Sequence, residues 1–366
     1  MKAAVLREPG GALSVEDVAP TELQASEILV RMAGVGICHT DLAAVAGVVP
    51  LPLPVVLGHE GAGVIEKVGD AVDDLAVGDR VVLSYASCGE CASCRGEHPA
   101  YCESFPMLNY IGTRLDGTAT MRQGEQDIHG SWFGQSSFGT YAVSSARNAV
   151  KVDNDLPLEL LGPLGCSLLT GAGTVFNVLK PHVGQSLGVW GLGTVGLAGI
   201  MAARAAGCDP IVGVDLIPAR LDLALELGAT HVINASENDS VTEEVLELTG
   251  GGLDFTIDAV GLESVIRQTL GVLRSPGTCA TVGLQGLQND VLVDQGHLLM
   301  GRTLTGVIEG DADPHVMIPR LIRLWRGGQF PFERLVKQFP FEAINEALEA
   351  AHSGEVIKPV VTFESA

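Results

Sequence analysis

The stretch Gly34-Val35-Gly36-Ile37-Cys38-His39-Thr40-Asp41 offers a thiol, an imidazole, a hydroxyl and a carboxylate on four consecutive residues. Taken alone, Cys38 reads as a reduced core cysteine beside a solvated turn. Gly58-His59-Glu60 and Cys166 further along the chain change that reading. Two cysteines and one histidine, far apart in sequence, are a ligand set that leaves the fourth position of zinc free for water or substrate. Asp41 is of the right type to accept from the far nitrogen of His59, fixing its tautomer and raising its basicity. Glu60 adds a second carboxylate near the metal, with ordinary solvation as the competing reading for both acids.

A second cluster, Cys88-x-x-Cys91-x-x-Cys94-x7-Cys102, places four thiols within 15 residues, beside Gly89 and Gly96. Four thiolates close a tetrahedral shell, which suits a structural zinc that holds a loop and does no chemistry. The chain has eight cysteines, and no basic and apolar leader opens it, so this crowding points to metal rather than disulfides. Cys208 and Cys279 stand in apolar, strand-flanking positions and read as inert core thiols.

The third motif is Gly191-Leu192-Gly193-Thr194-Val195-Gly196. An apolar run, Ser186 to Trp190, precedes it; a helical stretch to Ala206 follows; the strand Ile211 to Asp215 comes next. Asp215 lies 19 residues past the last glycine. Such a context suits a backbone that approaches a pyrophosphate at a helix amino terminus. Asp215 would bind the adenosine ribose hydroxyls and repel a 2′-phosphate, favouring NAD over NADP, with Arg220 as an adenosine neighbour.

These groups need two kinds of scaffold. Residues 1–167 read as short strands broken by glycine, clearest at Ala3 to Leu6, Glu27 to Met32, Gly61 to Val68 and Arg80 to Leu83, which predicts a barrel-like antiparallel domain. From about Leu168 the pattern alternates strand and helix. Strands are expected at His231 to Ile233, Leu253 to Asp258 and Thr278 to Val282, with a helix near Ser264 to Leu273 and a capping box, Ser240-Val241-Thr242-Glu243, opening another. Repeated units of this kind predict a parallel, doubly wound sheet over 168–307. Residues 308–366 return to the first domain, with helices at Leu321 to Trp325 and Ile344 to Ala351 and a closing strand at Val360 to Phe363.

At 366 residues, 46% of them apolar, the chain can fill two cores. A net charge of −22 argues against nucleic acid and anionic membrane surfaces as partners. Leu160 to Leu179 is uncharged over 20 residues, but its glycines, Pro163 and Asn177 suit a buried, interrupted segment better than a membrane span. The expectation is a soluble, cytoplasmic protein.

Together these motifs resemble the zinc-dependent medium-chain alcohol dehydrogenases over nearly the whole chain. The resemblance implies an α/β architecture: a GroES-like β-rich catalytic domain carrying both zinc sites, and a Rossmann cofactor domain, with the cofactor in the cleft between them. Phe133-Gly134-Gln135-Ser136-Ser137-Phe138-Gly139-Thr140-Tyr141-Ala142 and Gly162-Pro163-Leu164-Gly165-Cys166 look like the aryl-alcohol, or benzyl-alcohol, branch. It further implies two zinc ions per chain, Cys38, His59 and Cys166 holding the catalytic one and Cys88, Cys91, Cys94 and Cys102 the structural one. Thr40 stands where a hydroxyl contacts both substrate oxygen and cofactor ribose, and His39 and Lys358 where cations meet the pyrophosphate. Thr170, Gly191, Gly193, Thr194, Val195, Gly196, Asp215, Arg220 and Val282 fall at NAD positions; Val49, Ser84 and Tyr85 border the substrate pocket. Two positions depart from the pattern. Ala43 replaces a histidine that ends the proton relay in many members, and Pro106 replaces an arginine expected of the glutathione-dependent formaldehyde branch.

The expected activity is reversible NAD-dependent oxidation of a primary aromatic alcohol to its aldehyde. Rival readings are an aliphatic or allylic alcohol dehydrogenase of the same fold, a zinc-free quinone or enone reductase, and a non-enzymatic NAD-binding scaffold. The expected partners are a small alcohol or aldehyde and a second copy of the chain in a homodimer or homotetramer, with the apolar Leu298 to Ile308 extending a sheet across the dimer.

Overall fold

A computed structural model describes residues 1–286 and 288–363. The chain divides into two compact units. The first comprises Met1–Ser167, Asp313–Pro319 and the chain from Glu333 onward; the second comprises Leu168–Ala312 and Arg320–Phe332.

In the first unit the ten-residue strand Glu27–Gly36 is central. Ile28, Val30 and Met32 are buried, as the alternation suggests, but so is Leu29, because this strand lies inside the barrel-like sheet. Its neighbours are Glu60–Val68 on one side and Lys358–Thr362 on the other, both antiparallel. Arg80–Leu83 and Ala149–Lys151 extend the first side, Val336–Pro340 the second, and Tyr141–Ser145 pairs with the amino-terminal half. The register matters for chemistry. Gly36 lies opposite Glu60 in one neighbour and opposite Val360 in the other. The strand ends therefore bring Ile37-Cys38, His59-Glu60 and Lys358 to one rim.

The second unit is a six-stranded, all-parallel sheet. Its spatial order is His231–Asn234, Ile211–Asp215, Leu187–Trp190, Leu253–Asp258, Leu273–Thr281, Arg302–Gly306. Numbered along the chain this is 3-2-1-4-5-6, the doubly wound Rossmann order, in which ligands bind where the strand order reverses. That switch point lies between Leu187–Trp190 and Leu253–Asp258. Trp190, Val212, Val214, Ile233, Val245 and Leu253 fill the core beside the first three strands. Arg302–Gly306 is the terminal strand, preceded by the short helix Gln295–Leu299.

Several boundaries differ from the sequence expectation. The helix at Ser240 does begin at Val241, but Ser240 makes no side-chain cap. Asn238 takes the Ser240 N–H instead, at 2.7 Å. The helix Pro314–Arg326 is shared: Arg320 onward packs with the second unit, where the Arg320 guanidinium lies 3.7 Å above the Phe176 ring. The uncharged segment after Leu160 is broken as expected, into a 3-10 turn at Gly162–Gly165, a helix at Ser167–Gly173 and a π-helical turn at Thr174–Leu179. Among the described residues no helix is long and apolar enough to cross a membrane.

Candidate active site and metal centres

Cys38 lies two residues past the strand Glu27–Gly36 and caps the seven-residue helix His39–Val45. Asp41, in the first turn, reaches back to accept the Cys38 N–H through Oδ2 at 3.2 Å. That bond satisfies one of the orphan donors of the helix start and turns the carboxylate inward. Asp41 is fully buried, and its Oδ1 lies 2.8 Å from His59 Nδ1. The turn that carries His59 needs a glycine. Gly58 has φ +88°, and a Cβ there would stand 2.5 Å from the Phe138 ring. Cys166 follows the Gly162–Gly165 turn, which Ser84 Oγ anchors by donating to the Gly165 carbonyl at 2.6 Å.

The sulfurs of Cys38 and Cys166, one nitrogen of His59 and one oxygen of Glu60 lie within 4.8 Å of one another. His59 is fully buried, and its Nε2 has no hydrogen-bond partner. An orphaned buried nitrogen is costly unless it has another use, and metal ligation is the use that this donor set fits. Hydrogen bonding from Cys166, against the cost of burial, and the nearby His59 hold the Cys38 thiol well below its ordinary range. Burial disfavours a charged His59, but Asp41 outweighs it and raises the imidazole pKa. Two soft sulfurs and an imidazole suit zinc.

Glu60 is committed on both oxygens: Oε1 accepts the Ser167 N–H at 3.1 Å and Oε2 the Lys358 ammonium at 2.8 Å. Lys358 is 2% exposed and also donates to the Ile37 carbonyl at 2.7 Å. The resemblance sets Lys358 against a pyrophosphate; here its ammonium is held inside the first unit, beside the metal-type cluster. Burial works against its charge, but Glu60 raises its pKa. Thr40, partly exposed, holds Oγ1 3.8 Å from Cys38 Sγ, and His39 beside it is exposed. Val49 is buried. Ser84 is fully buried with its hydroxyl spent on Gly165, and Tyr85 is buried and packs against Phe105 at 5.7 Å.

The quartet also converges. The four sulfurs of Cys88, Cys91, Cys94 and Cys102 lie within 4.8 Å of one another, with Cys88 and Cys94 3.9 Å apart. Tetrahedral zinc with bonds near 2.3 Å separates its sulfurs by about 3.8 Å. Peptide N–H groups already serve the sulfurs: Cys91 Sγ accepts from Cys94 and Glu103 and its thiol drops to about 6, while Cys88 Sγ accepts from Glu90 and Cys91 and its thiol is lowered too. Burial pushes Cys94 up to about 12 and raises Cys102. A dication would offset that cost for Cys94 and Cys102. Cys208 and Cys279, buried apart from both clusters, are each pushed to about 11 by burial.

In the second unit each glycine of the fingerprint has its own task. Gly191 turns at φ +87° directly after Leu187–Trp190. A Cβ on Gly196 would stand 1.9 Å from the Gly191 carbonyl, so the helix Thr194–Ala206 packs onto the turn only with glycine there. A Cβ on Gly193 would meet nothing within 4 Å. Protein packing does not ask for that glycine; in dinucleotide-binding folds the second glycine is the one that lets the backbone come close to a pyrophosphate. Thr194 begins the helix beside Gly193 and is buried, and Val195 follows. Asp215 ends the adjacent strand, accepts the Leu192 N–H at 2.6 Å and lies 3.9 Å from Arg220. Thr170, in the helix Ser167–Gly173, is partly exposed, and Val282 follows the strand Leu273–Thr281, its N–H given to Asp258.

Sequence reasoning missed the strap Ser131–Ser137 as part of the metal-type site. Phe133 stacks on His59 with centroids 4.3 Å apart at 19°, and Trp132 Nε1 donates to Asp41 Oδ1 at 2.9 Å. Gln135 joins the same ring of contacts: its Oε1 accepts the Gly61 N–H, its Nε2 donates to the His59 and Ser84 carbonyls, and Ser137 donates to its Oε1.

A barrel-like unit with a mixed sulfur and imidazole site and a sulfur quartet, together with a Rossmann unit in the same chain, defines a class of zinc oxidoreductase. Comparison with known proteins is consistent with it. The model of the alcohol dehydrogenase GroES-like domain matches residues 24–154, and that of the zinc-binding dehydrogenase matches 194–325. A geraniol dehydrogenase from Castellaniella defragrans is 46% identical over 364 residues, covering 99% of this chain and 97% of its own. The crystal structure of an alcohol dehydrogenase zinc-binding domain protein from Burkholderia ambifaria matches with a TM-score of 0.97 at 46% identity, covering 100% of this chain and 99% of that one. That of benzyl alcohol dehydrogenase from Acinetobacter calcoaceticus matches with a TM-score of 0.96 at 41% identity, covering 99% of each. The chain belongs to the zinc-dependent medium-chain alcohol dehydrogenase family, and it is an alcohol dehydrogenase of that kind.

Proposed function

We propose that the chain oxidises primary aromatic alcohols of the benzyl type to aldehydes, reversibly, with NAD. The observation that carries this reading is the Cys38, His59 and Cys166 donor set, with the Thr40 hydroxyl 3.8 Å from Cys38 Sγ. Zinc held by those three side chains would supply Lewis acidity toward an alcohol oxygen, and NAD would supply the oxidising equivalents. The quartet Cys88, Cys91, Cys94 and Cys102 would hold a second zinc, which would stiffen its loop. Thr40 Oγ1 accepts the alcohol proton and relays it, while Asp41 keeps Nδ1 of His59 in the donating role so that Nε2 faces the ligand sulfurs. The fingerprint Gly191 to Gly196 and Asp215 hold the dinucleotide, the carboxylate favouring unphosphorylated ribose.

Two features support an aromatic substrate. Tyr85, Phe105, Tyr110, Trp132 and Phe133 form a run of ring contacts that ends on His59, and one matching structure is of a benzyl alcohol dehydrogenase. A second reading, an allylic primary alcohol, is favoured by the geraniol dehydrogenase relative. In both, the carbinol carbon adjoins a π system. Comparison of kcat/KM for benzyl alcohol, geraniol and ethanol with NAD separates them. Benzyl alcohol is expected to lead; geraniol in front selects the second reading, and ethanol in front overturns both.

A further inference from the structure

We infer that Trp132 is a positioning residue for the metal-binding imidazole, acting through Asp41. The inference rests on the reading of Cys38, His59 and Cys166 as a metal-holding set. Trp132 is fully buried, and its Nε1 donates at 2.9 Å to Asp41 Oδ1, the oxygen that also accepts from Gly58 N–H at 3.2 Å. Asp41 Oδ2 accepts from Cys38 N–H at 3.2 Å. Indole and peptide N–H groups only donate, so both carboxylate oxygens are held as acceptors. The 2.8 Å contact pairs Oδ1 with His59 Nδ1, the arrangement that leaves Nε2 for a metal ion. Among the described residues, the indole and His59 are the side-chain partners of Asp41 Oδ1.

The backbone around Trp132 supports a placing role. Ser131, Phe133 and Ser136 have φ of 64°, 51° and 50°, a region that side-chain-bearing residues seldom enter. Surrounding bonds hold them there: Trp132 N–H to Ser136 Oγ at 2.9 Å, Ser136 Oγ to the Val56 carbonyl at 2.7 Å, and Ser137 N–H to the Gly58 carbonyl at 2.8 Å. Filling the core alone would ask for a ring at 132, not for a donor aimed at a buried carboxylate.

The test uses the full-length, zinc-loaded protein and a chelator, with zinc release followed in time. Trp132→Phe keeps an aromatic ring and removes the donor. It is expected to release the zinc outside the quartet about tenfold faster, the lower end of the effect of outer-sphere partners. Quartet zinc should stay, and the ligand-field bands of cobalt in the non-quartet site should shift. Release at the wild-type rate with unchanged cobalt bands overturns the inference. The wild-type protein gives a reading independent of whether the variant folds. With 15N-labelled tryptophan, assigned by elimination using Trp190→Phe and Trp325→Phe, the Trp132 indole N–H resonance should move when the non-quartet ion is stripped. A stationary resonance overturns the proposal. A wild-type chain that holds zinc only in the quartet removes the metal reading itself, and the inference with it.

Discussion

Lys358 and Glu60, 298 residues apart in sequence, form an ion pair at 2.8 Å in which the two side chains are 2% and 0% exposed. Such a pair holds only while both partners are present, because removing one leaves an unpaired buried charge. Lys358→Met is therefore expected to destabilise the protein by about 3–5 kcal/mol, read from chemical denaturation midpoints. Zinc in the Cys38 site should fall with it, since Glu60 lies among the ligand atoms. A variant with wild-type stability and only a raised KM for NAD would return Lys358 to the cofactor role that the resemblance implies.

The two glycines of the dinucleotide turn should behave oppositely. Gly193→Ala meets no atom within 4 Å, so its stability should stay within about 0.5 kcal/mol of wild type while NAD binding weakens. Gly196→Ala drives a methyl to 1.9 Å from the Gly191 carbonyl and should cost on the order of 1–3 kcal/mol. Thermal melts with and without NAD measure both. Equal destabilisation by the two would remove the argument that Gly193 is kept for a ligand.

Thr40→Val removes a hydroxyl 3.8 Å from Cys38 Sγ with little change in volume. If that hydroxyl carries the alcohol proton, kcat falls roughly 10²-fold or more while zinc content holds. Steady-state turnover and metal analysis of the same preparation decide it, and an unchanged kcat takes Thr40 out of the chemistry.

Much of this site is legible in sequence because its signals are local. The thiol, imidazole and carboxylate run at Cys38, the quartet spacing and the glycine fingerprint each lie within a few residues, and the strands that carry them alternate or run apolar. What escapes is long-range pairing. Nothing in the sequence near Trp132 announces Asp41, 91 residues earlier, and nothing near Lys358 announces Glu60. The left-handed turns at Ser131, Phe133 and Ser136 carry no local cue apart from Gly134, since tertiary bonds rather than residue type enforce them. The Ser240 box fails for a related reason: Asn238 competes for the same backbone donor. The tandem Trp132-Phe133, followed by the polar run Gln135-Ser136-Ser137, is the one sequence cue that could have marked the strap.

Acid stability should respond to a pair at the edge of the first unit. Hydrogen bonds from Arg7, at 2.6 and 2.8 Å, pull the Glu16 carboxyl from 4.5 to about 2. A depressed folded-state pKa contributes stability that is fully present above pH 4.5 and is lost as pH falls through about 2. Glu16→Gln should flatten the dependence of the melting temperature on pH across that window and leave the neutral region almost unchanged. A variant whose acid limb overlays the wild type would show that the pair does not couple to folding.

The most direct test of the catalytic reading is zinc stoichiometry beside activity. The wild-type chain should carry two zinc ions and oxidise a primary alcohol with NAD. Cys38→Ser should carry one, retain the quartet ion, and lose alcohol oxidation with its fold intact by circular dichroism. A wild-type protein with one zinc and full activity, or a Cys38→Ser protein that oxidises alcohol at the wild-type rate, would contradict the assignment of Cys38, His59 and Cys166 as the catalytic centre.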